Sequence, residues 1–301
     1  MQYIGFESLI DRAKSLGRAK VAVAAAADKE VLEAIKLAEI EGLITPILVG
    51  DVIEIKRLAK EIGFSLNGAE LIHEPNLEAV THKAVDAVVD GQAQFLMKGL
   101  INSADFLRAV LRPVRGLRTG RLLSHLSALQ VPGFPRLLFV TDGGMNISPN
   151  LAQKKEIMEN SLLYLKGIGM NSVNVIVLTA NEVVNPKMPA TMDAQALVEM
   201  SLAGEFPGAI VEGPLALDGA VSAAALKHKG ISSQINGDVD LFLVPSIEVG
   251  NVLLKSMVYF AGATMAGIVL GAQVPIVLTS RSDTPRSKFM ALTMAALSRA
   301  Q

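Results

Sequence analysis

Cysteine and tryptophan are both absent from this chain of 301 residues. The missing cysteine excludes disulfides, Cys-rich zinc sites and every mechanism built on a thiolate or an acyl-cysteine intermediate. A reducing compartment fits that usage. Aromatic residues make up only 4%, so the core must be aliphatic, built from Val, Leu, Ile, Ala and Met. Strong charge of either sign is also missing. The formal net charge is −1, and no global field draws the protein towards nucleic acid or a membrane. Any anion site has to be a local concentration of Arg and Lys. The stretch Met1 to Gly17 carries Glu7, Asp11, Arg12 and Lys14 without a long apolar run, which is not the pattern of a signal peptide. A cytoplasmic protein is the expectation. No G-x-G-x-x-G fingerprint and no P-loop is present, and His73, His82, His125 and His228 show no metal spacing. No metal is expected.

What is present is a core-rich globular composition, half apolar and 19% charged, with room for two α/β lobes. Short apolar runs alternate with longer segments of helical period. Strands are expected at Lys20–Ala24, Pro46–Val49, Glu70–His73, Gln94–Met97, Arg136–Val140, Asn174–Leu178, Gly208–Val211, Asp240–Val244 and Val274–Thr279. Helices are expected at Asp28–Glu41, with Asp28 as its cap, and at Ile53–Ile62, Leu77–Val89, Ala152–Lys166 and Thr191–Leu202. Continuous Val/Ile/Leu strands separated by helices indicate parallel sheets covered on both faces. The uncharged stretch Ser256–Ser280 is long enough to imitate a membrane span, but glycines and Pro275 interrupt it. A buried helix followed by a buried strand explains it better.

In parallel sheets ligands gather beyond the carboxyl ends of the strands. Three segments there carry chemistry. Between Asp105 and Asp142 no acidic residue occurs, while Arg108, Arg112, Arg115, Arg118, Arg121 and Arg136 do. Guanidinium groups suit forked recognition of phosphate oxygens, so the run suggests a polyanionic ligand. A solvated helix face is the plainer reading. Nucleic acid is disfavoured, because Phe106 is the lone aromatic near Arg108 to Arg121 and stacking partners are missing there. At the end of the last expected strand stands Ser280-Arg281-Ser282-Asp283. There an Arg can neutralise a transferring phosphate, a Ser hydroxyl can hold an oxyanion and an Asp can take a proton; a polar cap for a helix starting near Pro285 is the alternative. Thr141-Asp142-Gly143-Gly144-Met145-Asn146 follows another strand, where paired glycines let backbone N–H groups approach a phosphate.

Taken in order, Phe95–Gly99, Leu123-Ser124-His125, Thr141–Pro149, Asn185–Thr191 with Lys187, Glu212–Asp218, Gly237–Asp240, Val249-Gly250-Asn251 and Leu278–Asp283 resemble the phosphate acetyl/butyryltransferase family, its butyryltransferase branch above all. The resemblance runs from about residue 18 to the end of the chain. It implies an α/β fold like that of isocitrate and isopropylmalate dehydrogenases. A first lobe of residues 1–130 would be completed by 273–301, a second lobe of 131–272 would serve dimerisation, and the active site would lie in the cleft. It implies reversible transfer of a short acyl group, butyryl or similar, between coenzyme A and inorganic phosphate by direct attack in a ternary complex. Coenzyme A would be a substrate, with no cofactor bound and a homodimer or higher homo-oligomer as the assembly. Ser280, Arg281 and Asp283 would be catalytic. Lys98, Arg108, Arg118, Arg121, Ser124, His125, Asp142, Gly143, Asn146 and Lys187 would bind phosphate and coenzyme A. Where the acetyltransferase branch places its proposed catalytic Asp, this chain has Arg286-Ser287-Lys288, which leaves Asp283 as the nearest carboxylate. The rivals are a metal- and NAD(P)-dependent decarboxylating hydroxyacid dehydrogenase on the same fold and a two-lobed solute-binding protein.

Overall fold

The computed structural model describes residues 3–280 and 283–298. The chain divides into two compact units, one of residues 6–121 and 266–301, the other of residues 1–5 and 122–265. The expected boundaries at 130 and 273 therefore shift, and each shift has a cause in strand pairing. Residues 124–130 form a strand that pairs with Leu137–Thr141 of the second unit. Thr264–Leu270 forms another, joined through Val269 to Ile276 of the first.

The first unit starts with α1 (Phe6–Ser15), then alternates β1 (Ala19–Ala24), α2 (Lys29–Ile40), β2 (Ile44–Gly50), α3 (Val52–Glu61), β3 (Glu70–His73), α4 (Leu77–Val89), β4 (Phe95–Lys98) and α5 (Ser103–Val110). The cap expected at Asp28 is present, and three further helices are capped in the same way. Asp28 accepts from the N–H of Val31, Asp51 opens α3, Asn76 opens α4 and Asn102 opens α5. Each satisfies N–H groups that the first helical turn leaves without a partner.

The second unit contains β5 (Ser124–Gln130), β6 (Leu137–Thr141), α6 (Leu151–Gly167), β7 (Val173–Leu178), α7 (Pro189–Leu202), β8 (Ala209–Leu215), α8 (Leu217–Val221), α9 (Ala223–Lys229), β9 (Leu241–Leu243) and α10 (Ile247–Ala261). Its strand order is β5-β6-β9-β7-β8, parallel apart from the antiparallel β5–β6 pair. Leu129, Val140, Ile176, Phe242 and Leu254 belong to its core.

The chain then supplies β10 (Thr264–Leu270), β11 (Ile276–Val277) and α11 (Pro285–Leu297). From Ala266 onward these belong to the first unit, whose strand order is β3-β2-β1-β4-β11-β10. All neighbours there are parallel except β10 and β11. Val21–Ala24, Leu48, Val49 and Phe95–Met97 are almost wholly buried, as strands covered on both faces must be. Helix α11 packs on α1 and α2.

The stretch Ser256–Ser280 does hold the end of a helix followed by strands, but the helix is not buried. Helix α10 ends at Ala261 and leaves Val252, Tyr259 and Phe260 exposed, the chain turns at Gly262, which adopts a left-handed conformation, and a strand follows. The expected strand Val274–Thr279 contracts to Ile276–Val277. Among the described residues no helix is long and apolar enough to cross a membrane.

Candidate functional site

In the first unit the connections from β1 run one way along the sheet and those from β4 the other. The carboxyl ends of β1 and β4 therefore flank a crevice at the switch point, the usual place for a ligand in an open α/β sheet. A cavity of about 330 Å³ lies there, lined by Asp28 to Val31 after β1, Lys98 to Leu100 after β4, Thr279 and Ser280 after β11, and Lys288 of α11.

The local backbone explains its walls. Beyond the strands, Gly99 N–H donates to the Ala24 carbonyl at 2.8 Å and Leu100 N–H to the Ala25 carbonyl at 2.9 Å. A side chain at position 99 would put its Cβ 2.2 Å from the Ala25 oxygen and 2.6 Å from the Ala24 oxygen. Only glycine fits so close a backbone approach. Lys98, 5% exposed, turns its Nζ back to the carbonyls of Gly99 at 3.3 Å and Ile101 at 3.1 Å. Ser280 and Lys98 thus line one cavity. Asp283 adjoins them, its Oδ2 accepting from the Ser280 N–H at 2.7 Å. The expected cap role for this segment falls elsewhere: Thr284 accepts from the N–H of Ser287 and opens α11. Arg281 and Ser282 lie outside the described residues.

A second cavity of about 630 Å³ in the same unit shares Leu100 and is lined further by Leu77, His82, Ile101, Asn102, Arg108 and Arg112.

The arginine run divides by what each member faces. Arg112 reaches His82 at 2.7 Å and pairs with Asp86 of α4, while Arg115 bonds Asp86 at 2.9 Å and Asp90 at 2.8 Å. Burial pushes the Asp86 carboxyl up, but Arg115 and Arg112 outweigh it and hold the group below its ordinary range. These two arginines fasten the α5 connection to α4. Arg136, in the second unit, is taken by Asp238 and sits 3.8 Å from Asp240. Arg108, on α5, makes only an exposed pair with Asp105 at 2.9 Å, a contact worth little in water. Arg118 and Arg121 are exposed on the segment that leads out of the first unit.

The second unit gathers another group. Asp142, 2% exposed at the end of β6, accepts through Oδ1 from the N–H groups of Gly144 at 2.9 Å and Met145 at 2.8 Å. Its Oδ2 accepts from the His125 N–H at 3.1 Å and from Asn146 Nδ2 at 2.6 Å. Asn146 also donates to the Leu123 carbonyl at 2.8 Å. Ser124 is wholly buried and accepts from Asn160 at 3.1 Å. Gly143 is buried as well; a Cβ there would lie 2.7 Å from Leu254 and 3.0 Å from the Gly250 backbone. The paired glycines therefore admit neighbouring protein: Gly143 faces α10, and Gly144 lies against the His125 ring. His125 is half-buried, its Nδ1 3.3 Å from Ser127 Oγ. Lys187 is exposed in the loop before α7, its N–H bonded to Asn185 Oδ1 at 2.9 Å.

Lys288, which the sequence offers only as one of the three residues standing where the acetyltransferase branch places its proposed catalytic Asp, is buried and lines the smaller cavity. Its only signal in the sequence is a lone cation at the head of the apolar run Phe289–Leu297.

The family model described as "Phosphate acetyl/butaryl transferase" matches residues 5–83 and 73–296. The chain is 44% identical to a phosphate butyryltransferase of Clostridium acetobutylicum over 292 residues, 97% of each protein. It is 41% identical to a phosphate acetyltransferase of Thermotoga maritima over 97% of this chain and 98% of that protein. Among solved structures, a branched-chain phosphotransacylase from Enterococcus faecalis V583 superposes with a TM-score of 0.82 at 34% identity, covering 93% of this chain and 98% of that one.

Proposed function

This chain belongs to the phosphate acetyl/butyryltransferase family, and from that membership we propose how its residues carry the reaction. The enzyme is an acyltransferase that moves a short acyl group reversibly between coenzyme A and inorganic phosphate, with coenzyme A as a substrate. The dehydrogenase and solute-binding readings fall away with that membership.

The observation that carries the residue assignment is the cavity at the β1/β4 switch point, which joins Ser280 to the buried cation of Lys98. In our reading a phosphate oxygen attacks the thioester carbonyl directly in a ternary complex. The tetrahedral oxyanion forms beside the Ser280 hydroxyl, the bond to sulfur breaks, and coenzyme A leaves as acyl phosphate remains. Preorganised donors at such an oxyanion are worth roughly 3–4 kcal/mol each. Arg281 neutralises the acyl phosphate, Lys98 adds positive charge to the cavity, and Arg108 reaches phosphate from the neighbouring cavity. Asp283 serves the thiol proton or, through its bond to the Ser280 N–H, the shape of the segment. Arg118 and Arg121 are surface contacts for coenzyme A on the first unit, and we assign His125 and Lys187 of the second unit to substrate binding. Ser124, Asp142, Gly143 and Asn146 hold the β6 loop instead of touching ligand, because their polar atoms or their space are already used.

We place the acyl preference at butyryl and similarly short chains. On fold, we read the units as those of isocitrate and isopropylmalate dehydrogenases, a reading supported by the C-terminal segment completing the first unit. A cytoplasmic homodimer without a bound cofactor, and without nucleic-acid partners, completes the proposal.

The test is phosphate-dependent release of coenzyme A thiol across acetyl-, propionyl-, butyryl- and branched acyl-CoA, with Arg281→Ala alongside the wild type. The variant should lose roughly a hundredfold or more in kcat. A folded Arg281→Ala enzyme with near-normal kcat would remove the assignment, and fastest turnover on acetyl-CoA would remove the butyryl preference.

A further inference from the structure

Lys288 is a cation in apolar company. Residues Lys288 to Leu297 of α11 are all buried, and Lys288 itself is 4% exposed. Burying an ammonium is costly unless acceptors surround it. Its Nζ donates to Glu30 at 3.1 Å, to the Ser280 carbonyl at 3.5 Å and to the Asp283 carbonyl. Glu30 stands in the first turn of α2 with its side chain half exposed. One charge thus links α11, α2 and both ends of the segment 280–283. The same segment closes on itself, Ser280 N–H on Asp283 Oδ2 at 2.7 Å and Asp283 N–H on the Ser280 carbonyl at 3.2 Å. If packing alone were at stake, Met or Leu would fill this position without the cost of burying a charge.

We propose that Lys288 is a positioning residue for acyl transfer: its ammonium clamps the Ser280 and Asp283 carbonyls and so fixes where the Ser280 hydroxyl stands in the cavity. This rests on the reading of Ser280 to Asp283 as the catalytic segment. Chemistry is more sensitive than binding to such placement, since a shift of about 1 Å at a reacting group costs roughly a hundredfold in rate. The loss of Lys288 therefore falls on kcat. Glu30 only helps to seat the ammonium, and from a partly solvated position, so its loss matters less.

The experiment is butyryl-CoA phosphorolysis by Lys288→Met, Glu30→Gln and Ser280→Ala, with thermal melting of each. Lys288→Met should lose roughly a hundredfold in kcat, keep KM for butyryl-CoA within about threefold, and melt near the wild type. Glu30→Gln should lose less kcat than Lys288→Met, because the Ser280 and Asp283 carbonyls still hold the ammonium. Lys288→Ala should regain part of its kcat with added ethylammonium, which restores a cation but no covalent packing; a general loss of structure would not respond. Lys288→Gln, which keeps the length and a donor but no charge, substitutes if the Met variant does not fold, with the same expected loss. Wild-type kcat in Lys288→Met or Lys288→Gln, with Ser280→Ala impaired, overturns the clamp and leaves the catalytic segment standing. Wild-type kcat in both Lys288→Met and Ser280→Ala overturns the catalytic segment itself. An equal rise in KM and fall in kcat for Lys288→Met, with no response of Lys288→Ala to ethylammonium, shows a packing role and overturns the proposal.

Discussion

Asp142→Asn perturbs the loop after β6 with almost no change in volume, and its consequence can be worked bond by bond. The wild-type carboxylate accepts four N–H groups, two at each oxygen. A carboxamide offers one acceptor oxygen and one NH2 group. Whichever way the amide turns, its NH2 faces two donors, so at least two bonds are lost. If the oxygen stays with Gly144 and Met145, the NH2 meets the His125 N–H and the Asn146 amide; if it flips, Gly144 and Met145 lose their acceptor. Hydrogen bonds to a charged group are worth ~1.5–3 kcal/mol each, so the loss is about 3–6 kcal/mol. A domain's whole stability is roughly 5–15 kcal/mol. For units of this size 1 kcal/mol moves the melting temperature by about 2–4 °C, so a fall on the order of 10–20 °C is expected. Differential scanning calorimetry and urea unfolding measure it, with coenzyme A release as the functional readout. Asp142→Ala removes all four acceptors and should be no better. A melting temperature within about 3 °C of wild type, equivalent to ~1 kcal/mol, would refute the bond count and return Asp142 to the list of ligand contacts.

The arginines give a second outcome. Arg118→Ala and Arg121→Ala should raise KM for coenzyme A or acyl phosphate roughly ten- to hundredfold, more than they lower kcat, and wild-type KM should rise with salt. Arg115→Ala should leave both KM values near wild type and instead lower stability, because Arg115 is bound to Asp86 and Asp90; unchanged KM in the Arg118 and Arg121 variants would make them mere surface charges. A third concerns pH. Burial raises the Asp240 carboxyl above its ordinary range, against the Asn174 N–H and Arg136, which pull it down. Its charged form is the one that folding disfavours, so this penalty is present at neutral pH and relieved as pH falls through the raised value. Comparing melting temperatures of wild type and Asp240→Asn from pH 8 to about 4, the difference should move in the wild type's favour as pH drops. A constant difference would refute the shift.

Much of the fold is local and could be read from the chain. The strands at 70–73 and helix at 77–89 follow from apolar runs bounded by caps, and Asp28 caps α2 because its side chain needs only a backbone N–H three residues on. Such signals lie within one turn of helix or one strand. The two unexpected strands, β5 and β10, are different. Both pair antiparallel with neighbours. β5 carries Ser124, His125 and Ser127, and β10 lies inside an uncharged stretch that resembles helix as much as strand. Their identity depends on what they pair with, which local pattern does not contain. The family likewise was legible, because an ordered set of short motifs survives as sequence.

The roles of individual site residues were not legible to the same degree. Sequence lists Arg108, Arg112 and Arg115 as equals, and only the packing of α4 against their segment assigns two of them to Asp86 and Asp90. It offers Gly143-Gly144 as a phosphate cradle, and only the approach of α10 and His125 fills that space. It gives Lys288 no role, and only the docking of α11 on α2 buries the charge beneath Ser280 and Asp283. Residue type limits what a side chain can do, but the free energy that selects among those uses comes from neighbours distant in sequence. Whether a charge is solvated, paired or buried is therefore decided by the tertiary structure.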